Sequence, residues 1–301
     1  MSGNGDSKYN TGGYVDPNIP NPHGPNDRGI IIYGYLPNEG LALLATIMFF
    51  LLLLAHTFQL IKYRTWYFVT VPIGCLFEVV GYTFRTVSRL QDPYNLYWFV
   101  MNYFFVVVAP VFYSAAIYAC LSVLINATGR RFSPLRPRWI VTIFIACDVI
   151  ATAIQVAGAG LVGGKEASHD DPSSAVHILL AGLAFQVATF AAYLVLLALF
   201  MYKSRMHIRH FKVFLAALWA ASLLIYMRTI FRLIESSMPL FNSLMTSETF
   251  YGCLEFAPVV TAIIILTIFH PGRMLKGKGI ASKQPIDSPA SSEQEQEKAL
   301  V

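Results

Sequence analysis

The stretch "LALLATIMFFLLLLAHTFQLI", residues 41–61, contains no Asp, Glu, Lys or Arg. A helix needs roughly 20 predominantly apolar residues to cross about 30 Å of hydrocarbon, so this stretch can span a bilayer. Backbone groups in lipid must satisfy their own hydrogen bonds, which favours helices. Six further segments of this kind follow, at residues 67–88, 96–125, 138–162, 177–202, 212–235 and 249–270. The sequence therefore predicts an all-α integral membrane protein with a bundle of seven transmembrane helices.

The composition of the whole chain agrees with this fold class. The 301 residues are 55% hydrophobic and 13% charged, whereas soluble domains carry about 25% charged residues. The mean hydropathy is +0.54. An ordinary soluble domain is therefore excluded, and the bilayer is an expected partner.

The distribution of Lys and Arg predicts the orientation, because cytoplasmic loops carry an excess of both. Fourteen basic residues fall on one side: Lys62, Arg64, Arg130, Arg131, Arg136, Arg138, Lys203, Arg205, Arg209, Lys212, Arg273, Lys276, Lys278 and Lys283. Four fall on the other side: Lys8, Arg28, Arg89 and Lys165. This asymmetry explains the net charge of +5, so nucleic acid is not an expected partner.

The predicted orientation places the N-terminus outside and the C-terminus in the cytoplasm, as an odd number of spans requires. Residues 1–40 are expected to form a polar extracellular tail without the apolar core of a signal peptide. Residues 41–272 form the predicted transmembrane domain. Residues 273–301 are polar and are expected to form a disordered cytoplasmic tail.

Three predicted spans carry ionisable or amide side chains, which are costly in a membrane and therefore indicate function. The sets are Glu78, Tyr82 and Arg85 in the second span, Asp148, Thr152 and Gln155 in the fourth, and Arg228, Arg232 and Glu235 in the sixth. The outer members of each set are seven residues apart, and seven residues turn a helix to within about 20° of its starting direction. Each helix is therefore expected to carry its polar side chains on one face.

The sixth span shows what these charges cost. Its aliphatic and phenylalanine side chains favour insertion by about 3–7 kcal/mol in total, whereas three charges at the membrane centre would cost about 8–10 kcal/mol. Neighbouring helices and partners for the charges must therefore hold this helix in place. Arg232 and Glu235 are suitably spaced to pair on one helix face.

The simplest arrangement is a bundle with a polar, partly hydrated cavity that opens outward and binds a head group. Glu255 of the seventh span and Gln186 of the fifth are expected at a similar depth. The candidate lining residues are Glu78, Tyr82, Arg85, Asp148, Gln155, Gln186, Arg228, Arg232, Glu235 and Glu255. The alternative is an ion-pair network that only holds the helices together.

The sequence predicts neither a cofactor nor a metal site. The four cysteines lie in predicted spans and are expected to be small packing residues. Of the span histidines, His177 and His270 are expected at opposite membrane faces, so the three clustered ligands of a zinc enzyme are not expected. The stretch "GAGLVGGK" at residues 158–165 lacks the spacing of a phosphate-binding loop. It is expected to support close helix packing through Gly160 and Gly164, followed by a loop.

Several motifs in order along the chain carry a family resemblance. They are "YGYLPNEG" at residues 33–40, "FEVVGYTFR" at 77–85, "FIACDVIATAIQVAGAGL" at 144–161, "GLAFQ" at 182–186, "IYMRTIFRLIE" at 225–235, "ETFYGCLEFAPV" at 248–259 and "FHPG" at 269–272. This ordered set resembles the fungal RTA-like family, also called the lipid-translocating exporter family. Much of the family is expected to have an aspartate at the position of Glu255, and the glutamate carries the same negative charge.

The resemblance implies seven helices, an outward N-terminus and a fungal membrane, most often the plasma membrane. It also implies export of sphingoid long-chain bases and resistance to toxic amphiphiles. The first hypothesis is therefore a translocator in which Glu78, Asp148 or Glu255 receives a cationic amine. No ATP site is visible, so movement would be passive, gradient-coupled or assisted. The alternative is a receptor-like seven-helix lipid sensor without transport, and an enzyme is not expected.

Overall fold

The structure is a computed structural model that describes residues 16, 31, 33–129, 133–168, 171–204, 212–238 and 244–276. Of these residues, 87% are helical. Within the described ranges, seven helices are long and apolar enough to cross a membrane. The predicted fold class, an all-α bundle of seven transmembrane helices, is confirmed.

Six spans are regular helices, and the seventh has three consecutive parts. The six are α1 (Glu39–Tyr63), α2 (Thr70–Leu90), α3 (Leu96–Thr128), α4 (Pro137–Ser168), α5 (Ser173–Ser204) and α6 (Lys212–Ser237). Helix α7 begins with Glu248–Phe250, passes through a π-helical segment at Tyr251–Phe256 and continues as Ala257–Ile268. A 3₁₀ turn at Trp66–Phe68 precedes α2, and a short α8 (Pro271–Lys276) follows α7. The helices extend beyond most of the predicted segments, and α4 continues where a loop was expected after the glycines.

The ends of α1 show why this span begins and ends where it does. The Asn38 side chain accepts hydrogen bonds from the backbone N–H groups of Gly40 and Leu41, which satisfies two donors of the first turn. At the other end, Arg64 adopts a left-handed conformation with φ of 53° and closes the helix. The Asn38 cap and the left-handed Arg64 therefore set the two ends of this apolar helix.

The helices form a closed ring of neighbours in chain order, because α1 also packs against α7. Helix α3 is the most buried of the seven spans: 67% of its most apolar stretch is buried, compared with 28% for α1. It contacts α2, α4 and α6. We call the end of the bundle at which α1 and α7 begin the upper end, and the opposite end the lower end. Asn38 and Glu248 meet at the upper end.

Helices α4 and α5 approach closely at Gly158. A Cβ atom on Gly158 would lie 2.6 Å from the backbone nitrogen of Leu179, so only glycine fits there. A Cβ atom on Gly160 or Gly164 would meet no described atom within 4 Å. The prediction that these two glycines mediate the close contact is therefore wrong, because no described neighbouring atom approaches a Cβ position on either of them and the close contact falls at Gly158.

Most of both predicted tails lies outside the described residues. The described part of residues 1–40 contacts the upper end of the bundle: Ile31 and Tyr33 pack with Tyr94, and the Asp16 N–H donates to the Tyr94 hydroxyl at 3.3 Å. The described part of residues 273–301 belongs to α8.

Candidate functional site

A buried ion pair joins α6 to α7 in the upper half of the bundle. Arg228 donates to Glu255 Oε1 from Nε at 3.0 Å and from Nη2 at 2.5 Å. Arg228 Nη2 also donates to the Val106 carbonyl of α3 at 3.1 Å. The side chains of Arg228 and Glu255 are only 4% and 1% exposed. Arg228 therefore connects α6 to α7 and α3, and the ion pair compensates two charges that lipid would not solvate.

A second arginine extends the network upward along α6. Arg232 Nη1 donates to Glu235 Oε2 at 2.9 Å, which is the pairing predicted from their spacing. Arg232 Nε lies 3.9 Å from Glu255 Oε1, so Glu255 faces two arginines. The Arg232 guanidinium also lies 4.9 Å from the ring centroid of Tyr103 on α3, a cation–π distance.

Arg85 of α2 forms the uppermost part of the network. Its Nη2 donates to the Tyr35 hydroxyl at 2.6 Å and lies 3.7 Å from Glu248 Oε1. Its guanidinium sits over the rings of Tyr33 at 4.8 Å and Tyr251 at 4.3 Å. Burial raises the pKa of Tyr35 above its ordinary value, so the hydroxyl keeps its proton at neutral pH and accepts this bond. Tyrosines from the segment before α1 thus enclose a charge of α2.

Glu78 lies one turn below Tyr82 on α2, within electrostatic reach of Arg228 and Glu255. It is 2% exposed, and its Oε2 has no hydrogen-bond partner among the described residues. Tyr82 itself stacks on Phe49 and meets Phe256 edge-on. Glu78 is therefore a buried carboxyl group beside an ion-pair network, and its Oε2 can still accept a hydrogen bond.

The polar residues of α4 lie elsewhere in the bundle. Asp148 Oδ2 accepts from the Tyr118 hydroxyl of α3 at 2.8 Å, and Gln155 Nε2 donates to Gln186 Oε1 of α5 at 2.9 Å. Helix α4 packs against α3 and α5, and none of its described polar contacts reaches α6 or α7. The ten candidate residues therefore form two groups: seven lie on α2, α6 and α7, and three lie on α4 and α5, where Tyr118 of α3 joins them.

An open recess lies between the beginnings of α1 and α7 at the upper end. It has a volume of about 430 Å³ and is lined by Asn38, Gly40, Leu41, Leu44, Glu248 and Thr249. Glu248 Oε1 accepts from the Asn38 backbone N–H at 2.8 Å, so one carboxylate connects this recess to Arg85. The recess combines an acidic group with leucine side chains, as an amphiphile would require.

Sequence reasoning missed the tyrosines that surround these charges. Tyr35, Tyr103 and Tyr118 each contact a candidate residue. Tyr35 precedes the first span, and a tyrosine in an apolar span, such as Tyr103 or Tyr118, is ordinarily a packing residue. The signal that could have found them is the hydroxyl group, since a buried tyrosine O–H usually has a polar partner. Within the described part of the chain, no group of three His, Cys, Asp or Glu side chains could hold a metal ion.

The family described as "RTA1 like protein" matches residues 71–278. The chain belongs to this RTA1-like family. The match covers α2 to α8, and so includes all ten candidate residues.

Three fungal relatives extend the likeness toward the N-terminus. The "Sphingoid long-chain base transporter RSB1" of Saccharomyces cerevisiae is 28% identical over 285 residues, covering 81% of this chain and 74% of the relative. "Protein RTA1" of the same species is 26% identical, covering 81% of this chain and 86% of the relative. The "Probable lipid transporter atnI" of Emericella nidulans is 24% identical, covering 85% and 73%. No solved structure matches this RTA1-like chain.

Proposed function

We propose that this protein is a lipid transporter of the fungal plasma membrane that exports sphingoid long-chain bases or similar amphiphiles. This activity would contribute to resistance against toxic amphiphiles. The observation that carries the proposal is the 28% identity, over 81% of the chain, to a relative named as a sphingoid long-chain base transporter. Relatives named as transporters also favour transport over catalysis.

The chemistry of the buried network supports this substrate class. A sphingoid base combines a cationic amine, hydroxyl groups and a long apolar tail. Carboxyl oxygens accept the hydrogen bonds of an amine, and Glu78 Oε2 has none from the described residues. The recess beside Glu248, Leu41 and Leu44 offers an acidic group and an apolar wall at the edge of the bundle, where a lipid could enter from the side.

The basic loops support an orientation in which the upper end faces outward. Residues 1–40 are then an extracellular segment, residues 41–272 the transmembrane domain and residues 273–301 a cytoplasmic tail. In this orientation the network of α2, α6 and α7 lies in the outer half of the membrane, where a head group leaves the bundle during export.

The proposal is tested by export of a labelled long-chain base from fungal cells that lack the endogenous protein. Wild-type protein is expected to increase export, whereas Glu78→Gln and Arg232→Ala are expected to reduce it at least tenfold at equal protein level. Glu78→Gln removes one carboxyl acceptor for the amine, and Arg232→Ala leaves Glu235 without its partner.

Two exposed residues provide matched controls. Glu39→Gln and Arg138→Ala make the same chemical changes at exposed positions and are expected to leave export unchanged. Normal export by both network variants would contradict the site assignment. Binding of the base by wild-type protein without any export would contradict transport and favour the sensor.

A further inference from the structure

Asp148 is a buried acidic residue that no positive charge approaches among the described residues, whereas the buried Glu78 lies within electrostatic reach of Arg228. Asp148 is 1% exposed, and its Oδ1 has no hydrogen-bond partner among the described residues. The ion pairs that the described residues form involve Arg85, Arg228 and Arg232, but none includes Asp148. Glu255, by contrast, already faces two arginines.

The helices packed against Asp148 contribute hydroxyl groups and aromatic rings. Helix α3 supplies the hydroxyl groups of Tyr118 and Ser114, and α5 supplies Tyr193, whose ring centroid lies 4.6 Å from that of Tyr118. On α4 itself, Thr152 lies one turn further on the same face. None of these groups carries a positive charge.

An isolated carboxylate in such surroundings is very unfavourable, because neither solvent nor a counter-charge compensates it. The Asp148 carboxyl group therefore keeps its proton until a cation arrives to replace it. Asp148 Oδ1 and Thr152 Oγ1 are both buried acceptors without described partners. A primary ammonium group, with its three N–H donors, suits two such acceptors on one helix face.

We propose that Asp148 is an exchange site at which a proton and a primary ammonium group compete for one carboxyl group. When the ammonium group binds, the Asp148 O–H bond breaks, the proton passes to water, and the carboxylate accepts the ammonium N–H groups. Release of the amine is accompanied by return of one proton. Export of a long-chain base is thus exchanged one-for-one with a proton, which makes the transport gradient-coupled. This inference rests on the proposed function and names its coupling ion.

The first experiment measures binding without transport. Sphinganine is added to the purified protein in weakly buffered detergent solution, and both bound base and released protons are counted. Wild-type protein is expected to release one proton for each base bound at low pH, and its apparent affinity is expected to fall up to tenfold per unit as the pH decreases. Asp148→Asn is expected to release none, whereas Asp171→Asn, at an exposed loop position, is expected to behave as wild type.

The second experiment measures transport in phosphatidylcholine vesicles that contain a pH-sensitive dye, with protein-free vesicles to subtract spontaneous movement. An imposed pH gradient is expected to accelerate sphinganine movement at least fivefold with wild-type protein. Asp148→Asn is expected to lose this acceleration and Asp148→Glu, which keeps the exchangeable carboxyl group, to retain it.

The possible outcomes separate this inference from the proposed function. Sphinganine binding by wild-type protein without proton release overturns the exchange. Sphinganine movement at the same rate with and without the pH gradient also overturns the exchange, although the proposed transport function is then retained. Unchanged proton release by a folded Asp148→Asn variant also overturns it. Proton release upon binding with no movement in vesicles supports exchange at Asp148 but contradicts transport.

Discussion

Arg228 and Glu255 form the most enclosed ion pair that the structure describes, and their environment determines what the pair contributes. Both charges have left water, so much of their mutual attraction is offset by desolvation. Such a pair is better suited to specify how α6 and α7 dock than to raise stability. Removing Glu255, however, leaves Arg228 without a charged partner, and removing Arg228 leaves Glu255 with only the longer contact to Arg232 at 3.9 Å.

This asymmetry leads to a prediction for single and double substitutions. Arg228→Met and Glu255→Met are each expected to lower the free energy of unfolding by about 3–5 kcal/mol, because each leaves a buried charge. The free energy of unfolding of the double variant is expected to fall by less than that of either single variant. Unfolding of the purified protein in mixed micelles measures all three.

The Arg138→Met variant provides the control, because Arg138 is exposed and its loss is expected to change stability by less than 0.5 kcal/mol, about the usual limit for surface substitutions. Additive losses in the double variant would show that Arg228 and Glu255 act independently, contrary to the geometry.

At the scale of helices, periodicity predicted which face of α2, α4 and α6 is polar. It did so because buried charges must avoid lipid, which leaves a single face available to them. Periodicity does not reveal which neighbouring helix that face meets. The polar face of α4 meets α3 and α5, and the backbones of α4 and α5 approach closely because Gly158 has no side chain to separate them. Asp148 therefore lies apart from the arginines, which no spacing in the sequence indicated.

The π-helical segment of α7 is another feature that periodicity does not reveal. A π-helical turn accommodates an extra residue within an α-helix and often occurs at functional sites. In α7 it spans Tyr251–Phe256 and separates Glu248, near Arg85, from Glu255, near Arg228. The turn therefore sets the angle between two carboxylates that face different arginines.

Deletion of the exposed Cys253 is expected to restore a regular helix and to rotate one of these carboxylates by about 100° relative to the other. Either the Arg228–Glu255 pair or the Arg85–Glu248 contact is then lost, so export is expected to fall at least tenfold. Cys253→Ala keeps the chain length and is expected to retain export. Normal export by the deletion variant would show that the π-helical turn does not align the network.

At the scale of the whole molecule, the seven spans could be predicted because bilayer thickness fixes both the length and the apolarity of each helix. Closure of the ring depends instead on long-range contacts, such as the hydrogen bond from Gln59 Nε2 on α1 to the Thr267 carbonyl of α7 at 3.1 Å. Contacts of this kind leave no local pattern in the sequence. The segment before α1 was likewise predicted only as a polar tail, and its sequence did not indicate that Tyr33 and Tyr35 lie against Arg85.

The orientation of the bundle gives the last prediction, because basic loops are retained in the cytoplasm. Asp6→Thr completes a glycosylation acceptor site at Asn4, and Ala290→Asn creates a matched site near the other terminus. In fungal cells, Asp6→Thr is expected to add a glycan whose removal by an endoglycosidase increases gel mobility. Ala290→Asn is expected to add none. The reverse result would place the arginine network in the cytoplasmic half of the membrane, so that Arg85 and Glu248 would meet the amphiphile as it enters rather than as it leaves.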